Sequence, residues 1–161
     1  MPQYDDTHSA IGRFICETSK LEYLMHKLLF ELNRIIDGTI ISKKYPHTIE
    51  DMCKTLRNGL DLLESRISIE DLIDIKLFII EIPKIMEMRN RLCHGYLGGT
   101  INIDDQTWLS FVQFKRRSST MMELEKFRYN IDFINKMSDF ISNEKILISD
   151  FMEILKNFDP Y

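Results

Sequence analysis

Arg89, Asn90 and His94 stand in the run Arg89-Asn90-Arg91-Leu92-Cys93-His94, and their side chains carry the groups needed to break an RNA phosphodiester without a metal. Imidazole changes charge near neutrality, so a histidine can take or return the proton of a ribose 2′-hydroxyl. A guanidinium fork can stabilise the negative charge that builds on a phosphate under attack. A carboxamide such as Asn90 can orient a phosphate oxygen or pin the imidazole. Asn90 and His94 are four apart and share a helix face within about 40°. Arg89 is five before His94, and its long side chain is expected to swing toward the same spot. The chemistry this trio suits is attack of the 2′-hydroxyl on its own phosphate, giving a 2′,3′-cyclic phosphate and a 5′-hydroxyl. DNA, lacking that nucleophile, would not be cut. No metal and no organic cofactor is called for.

The chain around this run has 161 residues, enough for one domain with a core and too few for two ordinary ones, so residues 1–161 are expected to form a single domain. With 44% hydrophobic and 29% charged residues it has a globular composition. The first ten residues are polar and acidic, unlike a secretory signal, and no apolar run reaches the roughly 20 residues of a membrane span. Cys16, Cys53 and Cys93 are scattered and odd in number, which argues against a disulfide framework or a zinc site and suits the cytoplasm. A net charge of −4 counts against a general nucleic-acid binder and leaves room for a local basic site.

The elements that must position the trio follow from periodicity. Asp5, Asp6 and Thr7 offer cap oxygens for a first helix to about Asp37, stopped by Gly38. Ile11, Phe14, Ile15, Thr18, Leu21, Met25, Leu28, Leu29, Leu32 and Ile36 form its apolar stripe. After a loop from Gly38 to His47, Thr48 with Asp51 forms a capping box for a second helix to about Ser65. Ser68 with Asp71 repeats it for a third, from about Ile69 to His94, with a kink or a junction of two pieces at Pro83. Gly95, Gly98 and Gly99 end that helix. Thr100–Ile103 and Trp108–Phe114 are β-rich around a turn at Asp104–Thr107, which predicts a hairpin over about 100–114. From about Met121, Leu124, Phe127, Ile131, Ile134, Met137 and Ile141 return to helical spacing, with Ser118–Thr120 as cap candidates. A break near Ser142-Asn143 precedes a last helix through Ile146, Phe151 and Ile154. The class expected is all-α, a bundle of about five helices with a small β-hairpin insertion.

The run Arg89-Asn90-Arg91-Leu92-Cys93-His94-Gly95-Tyr96 resembles the signature of the HEPN superfamily, an arginine, a polar residue, a few more residues, then histidine. A long first helix carrying Leu21-Glu22, a kinked helix ending in the motif, a hairpin and closing helices extend the resemblance over most of the chain. It implies a homodimer whose two motifs face each other as a composite endoribonuclease site, with Arg89 and His94 catalytic and Asn90 assisting. Many such proteins are toxins or phage-defence nucleases, and others only bind RNA, a nucleotide or a protein partner. The longer pattern Arg89, His94, Tyr96 also resembles HepT toxins, in which a nucleotidyltransferase-fold antitoxin adenylylates that tyrosine. It implies such a partner and a modification at Tyr96, although the stretch from Thr100 to Phe114 departs from the compact toxin pattern.

Plainer readings stand beside these. His94 suits a helix C-terminus through the helix dipole alone, with Arg89 a surface or salt-bridging residue. Glu22, on the apolar stripe, either pairs with Arg89 or Arg91 and supports the site, or is a solvated stripe edge in contact with His26. Lys115, Arg116 and Arg117 either grip RNA phosphates or are simply solvated. Met52, Met86, Met88, Met121, Met122 and Met137 suit gap-filling in the core. Trp108 is an anchor in the core or an interface, or a ring on which a base stacks.

Overall fold

The computed structural model describes residues 4–36 and 45–158. The expected stop at Asp37-Gly38 and most of the following loop lie outside them. Four helices and three strands follow in the order α1 (Tyr4–Ile35), α2 (Ile49–Leu62), α3 (Ile69–His94), β1 (Tyr96–Ile103), β2 (Gln106–Arg116), β3 (Met122–Asn130) and α4 (Ile131–Lys156). The class is therefore mixed, helical with a three-stranded antiparallel sheet in the order β1-β2-β3, and neither all-α nor a five-helix bundle.

The two inner caps form as their residues dictate. Thr48 Oγ1 accepts from the Asp51 amide at 3.0 Å, and Ser68 Oγ accepts from the Asp71 amide at 3.2 Å while donating to its carboxylate at 2.6 Å. At the front of α1, the helix already runs from Tyr4, ahead of the expected start at Thr7. α3 is one helix through Pro83, not two pieces.

The largest departure is residues 121–130. Leu124, Phe127 and Ile131 fit a helical spacing, but Glu123, Glu125, Phe127 and Tyr129 also alternate with Leu124, Lys126 and Arg128, and the alternation prevails. Ser118 closes the turn that leads into it: its hydroxyl accepts from the Met121 amide at 3.1 Å and the Thr120 amide at 3.3 Å, while the Arg117 amide donates to the Met121 carbonyl at 3.0 Å. The expected helix caps close a turn instead, and β3 pairs with β2 from Trp108↔Asn130 to Arg116↔Met122. The first hairpin is tighter and longer than expected. Asp104 and Asp105 alone form its loop at φ 50° and 60°, the two-residue geometry whose twist matches the strands. The α4 helix starts where Asn130 Oδ1 accepts from the Asp132 amide at 2.7 Å. No break falls at Ser142-Asn143. Two of the α4 serines fit the helix by donating back to carbonyls four residues earlier, Ser138 to Ile134 and Ser149 to Lys145.

Contacts divide the chain into two compact units, one of residues 1–18 with 87–140 and one of 19–86 with 141–161. In the second, Leu21, Met25, Leu28, Leu29 and Leu32 of α1 are buried, as are Leu56 and Leu60 of α2, Ile75, Ile79 and Ile82 of α3, and Ile148 and Leu155 of α4. Met52 and Met86 fill this core as expected. Lys76 bridges to Asp61 at 2.6 Å and to Glu64, tying α3 to α2.

Cys53 shares that core, and burial pushes its thiol up to about 11, Arg57 pulling it down slightly and Glu50 pushing it up. The thiolate is the reactive form. Iodoacetamide at mildly alkaline pH is therefore expected to label the exposed Cys16 and Cys93 and spare Cys53 until the chain unfolds, as peptide mass mapping would read. The unfolded thiol ionises first as pH rises, so this group lowers stability progressively between about 9 and about 11.

The first unit holds the sheet. Its inward face carries Leu97, Leu109, Phe111, Phe127 and Tyr129, with Leu109 and Phe111 fully or nearly fully buried. Phe111 and Phe127 stack at 5.4 Å between centroids, and Tyr129 meets them at 6.4 and 5.7 Å.

Candidate functional site

The run from Arg89 to His94 forms the last turn and a half of α3, in the same unit as the sheet. Asn90 and His94 are both solvent-exposed, one turn apart on one face. Arg89 is half-buried, with its Nε inside the protein, and lies about 140° around the helix from His94. To reach the His94 face within one chain, the Arg89 side chain has that arc of helix surface to cross.

Arg91 has a different task. Its Nη2 donates to Glu87 at 2.8 Å and to Glu125 at 3.3 Å, and its guanidinium sits 5.6 Å from the Phe127 ring centre. The guanidinium is held above its ordinary range, first by a hydrogen bond to the Tyr129 hydroxyl and then by the two carboxylates, against some desolvation. Arg91 therefore pins the end of α3 to β3. Glu125, Phe127 and Tyr129 are positioning residues that a helical reading of 121–130 hides; the two-residue alternation in Glu123–Tyr129 is the signal that finds them.

Gly95 completes the junction. Its amide donates to the Arg91 carbonyl at 2.8 Å. A Cβ built on it would lie 2.5 Å from that carbonyl oxygen, 2.8 Å from Phe127 Cζ and 3.4 Å from Phe111 Cβ. Only glycine lets the helix end touch the ring stack this closely. The chain then turns into β1, whose first residue, Tyr96, is 76% exposed.

Glu22 is half-buried on α1 in the other unit, and Arg91, one of its two expected partners, is instead held by Glu87, Glu125 and Tyr129. His26, the other neighbour considered for Glu22, bonds through Nδ1 to the Tyr45 hydroxyl. Lys115, Arg116 and Arg117 are exposed but do not act as one cluster. Arg117 is paired with Glu123, and Lys115 lies opposite Glu123 in register. Arg116 donates to the Ser118 and Ser119 carbonyls at 3.1 and 3.3 Å, while its position faces the other side of the sheet. Met121 and Met122 are exposed at this turn and fill no core gap. Trp108 is half-exposed on the outward face of β2.

Two grooves lie at the Trp108 end of the sheet unit, of about 390 Å³ and 430 Å³, and neither includes a residue of the 89–94 turn. Among the described residues, no His, Cys, Asp and Glu group is placed to hold a metal ion, and no helix is long and apolar enough to cross a membrane.

No family model matches the chain, and no match is found among curated proteins or solved structures.

Proposed function

We propose that the protein is a metal-independent endoribonuclease that works as a homodimer, with Arg89 and His94 as catalytic residues and Asn90 orienting the phosphate. The observation that carries this reading is the exposed pair Asn90 and His94, one turn apart at the very end of a helix, with Arg89 in the same turn. In the reaction, the His94 imidazole takes the proton of the 2′-hydroxyl, whose oxygen bonds to the adjacent phosphorus. The guanidinium of Arg89 stabilises the charge on the non-bridging oxygens, and the bond to the 5′-oxygen breaks as that oxygen takes a proton from solvent, to which His94 later releases its own.

Two features support a dimer. Arg89 and His94 diverge around the helix of one protomer, so opposing copies of the turn are needed to bring the two groups onto one phosphate. The same helix also leaves Ile69, Ile73, Leu77 and Ile80 exposed within about 80° of arc, an apolar stripe that a second copy would cover. The setting we infer is a cytoplasmic toxin–antitoxin or phage-defence system, in which a nucleotidyltransferase-type antitoxin would reach the exposed Tyr96.

The test is a product analysis with purified protein. Unstructured RNA should be cut in the presence of EDTA to fragments ending in a 2′,3′-cyclic phosphate, while the same sequence with 2′-O-methyl groups stays intact. Intact RNA across diverse sequences, with binding retained, would instead identify a non-catalytic module that binds RNA or a nucleotide.

A further inference from the structure

The two faces of the sheet differ in charge. Register and alternation place Tyr96, Trp108, Phe114, Arg116, Lys126 and Arg128 on the face turned away from Phe111 and Phe127. The strand carboxylates Glu123 and Glu125 lie on the opposite, inward side, and Asp104 and Asp105 belong to the turn. Among the described residues of the three strands, the outward face therefore carries three cations and no carboxylate. In a chain with a net charge of −4, this is a local reversal of sign.

The rings on that face are not covered. Tyr96 is 76% and Phe114 70% exposed, and Trp108 is half-exposed. Burial of such rings is the usual outcome, because each is worth a few kcal/mol out of water. The layout is also ordered. Lys126 and Arg128 run along the edge strand β3, while Trp108 and Phe114 stand on the central strand β2 beside them. Lys126, Val112 and Tyr96 form one row across the sheet, and Arg128, Ser110 and Gly99 the next. At its end, Trp108, Arg128, Tyr129, Phe133 and Lys136 line the groove of about 430 Å³ together with Asp132. Three rings, two cations, one carboxylate and the amides of Gln106 and Asn130, the latter donating to Gln106 Oε1 at 2.7 Å, meet there.

We infer that this outward face binds single-stranded RNA, with phosphates tracking Lys126 and Arg128 along β3 to Lys136 of α4 and bases stacking on Trp108, Phe114 and Tyr96. A cationic track beside a row of rings is what a single strand requires, since every base has a π-face and every linkage a charge. A duplex would hide its bases from the rings. An anionic membrane would meet the same charges, but it has no use for a groove lined by amides, rings and a carboxylate. A second copy of the chain would bring the same three cations against themselves. The inference does not rest on cleavage: the strand can be held here whether or not His94 acts on it.

Trp108 is the only tryptophan, so its fluorescence reads the surface directly. The full chain should be titrated with a 2′-O-methyl oligouridine, which cannot be cut, so a failure to bind and a failure to cleave are read apart. Expected are quenching of Trp108 and an affinity that falls with salt with a logarithmic slope near −2, as for about three phosphate contacts. Phe114→Ala should weaken binding roughly tenfold, and Arg128→Glu at least as much, with Phe114→Tyr restoring it. Absence of quenching, or an affinity unchanged in Arg128→Glu, would overturn the inference. So would tight binding to duplex but not single strand, or to anionic lipid vesicles but not the oligomer. A change in solution mass on Phe114→Glu would equally overturn it, by assigning the face to a second copy.

Discussion

Replacing His94 by alanine is expected to reduce RNA cleavage by about two to four orders of magnitude, the usual loss when a positioned proton-transfer group is removed. Folding should be untouched, because the side chain is exposed at the end of α3. Far-UV circular dichroism and retained binding of the uncleavable oligomer would establish that. Arg89→Ala should cost about two to three orders of magnitude in rate. Because its Nε is buried, Arg89→Lys serves as a companion that keeps the charge and loses the fork. A composite site makes a further demand. If Arg89 of one protomer serves His94 of the other, mixing the two inactive variants rebuilds one intact site in each mixed dimer. About a quarter of wild-type activity should return if protomers exchange at random. No recovery, together with activity in a variant shown to be monomeric, would remove the two-chain reading.

Gly95→Ala should lower stability by about 3 kcal/mol, the upper part of the range for forcing a methyl into a packed site. Two of the three nearest obstacles cannot yield cheaply: the Arg91 carbonyl at 2.5 Å is backbone in the closing turn of α3, and Phe127 at 2.8 Å is locked between Phe111 and Tyr129. Urea unfolding followed by Trp108 emission, which reports the sheet, would measure it. Relief of the clash by Phe127→Leu in the double variant would separate crowding at the ring from a loss of backbone freedom. An unaltered midpoint for Gly95→Ala would mean that the helix end and the ring stack are not in the contact described.

Where a local chemical device specifies an element, that element was legible. The Thr48 and Ser68 caps bond as their spacing dictates, α3 ends at His94, and a hairpin follows it, although Gly98 and Gly99 fall inside β1. Residues 121–130 were not legible, because two periodicities coexist there and the choice is made by a nonlocal partner: nine register pairs with β2 outweigh what the segment prefers alone. The same error hid part of the site. With 121–130 read as a helix, Arg91 has no Glu125, Phe127 or Tyr129 to hold it and looks available for catalysis. Lys126 and Arg128 likewise look like scattered charges until the alternation of β3 puts them on one side. The motif residues themselves could be named from spacing, but the 140° between Arg89 and His94 matters only once Arg89 is seen to turn inward.

The irregularity in β1 has a bearing on how the protein survives at high concentration. The pairing of Leu97 with Phe111 is followed by that of Gly99 with Ser110, so Gly98 is an extra residue, and Gly99 takes up the kink at φ 152°. β1 is an edge strand, with one row of amides and carbonyls offered to any extended chain that approaches. An incoming strand that matched Thr100–Ile103 would lose register at the bulge and could not continue to Tyr96. Four residues of ladder are too few to seed a continuous intermolecular sheet. The glycine pair thereby guards a naked, sticky edge against fibrous growth, while the neighbouring rings stay open to solvent.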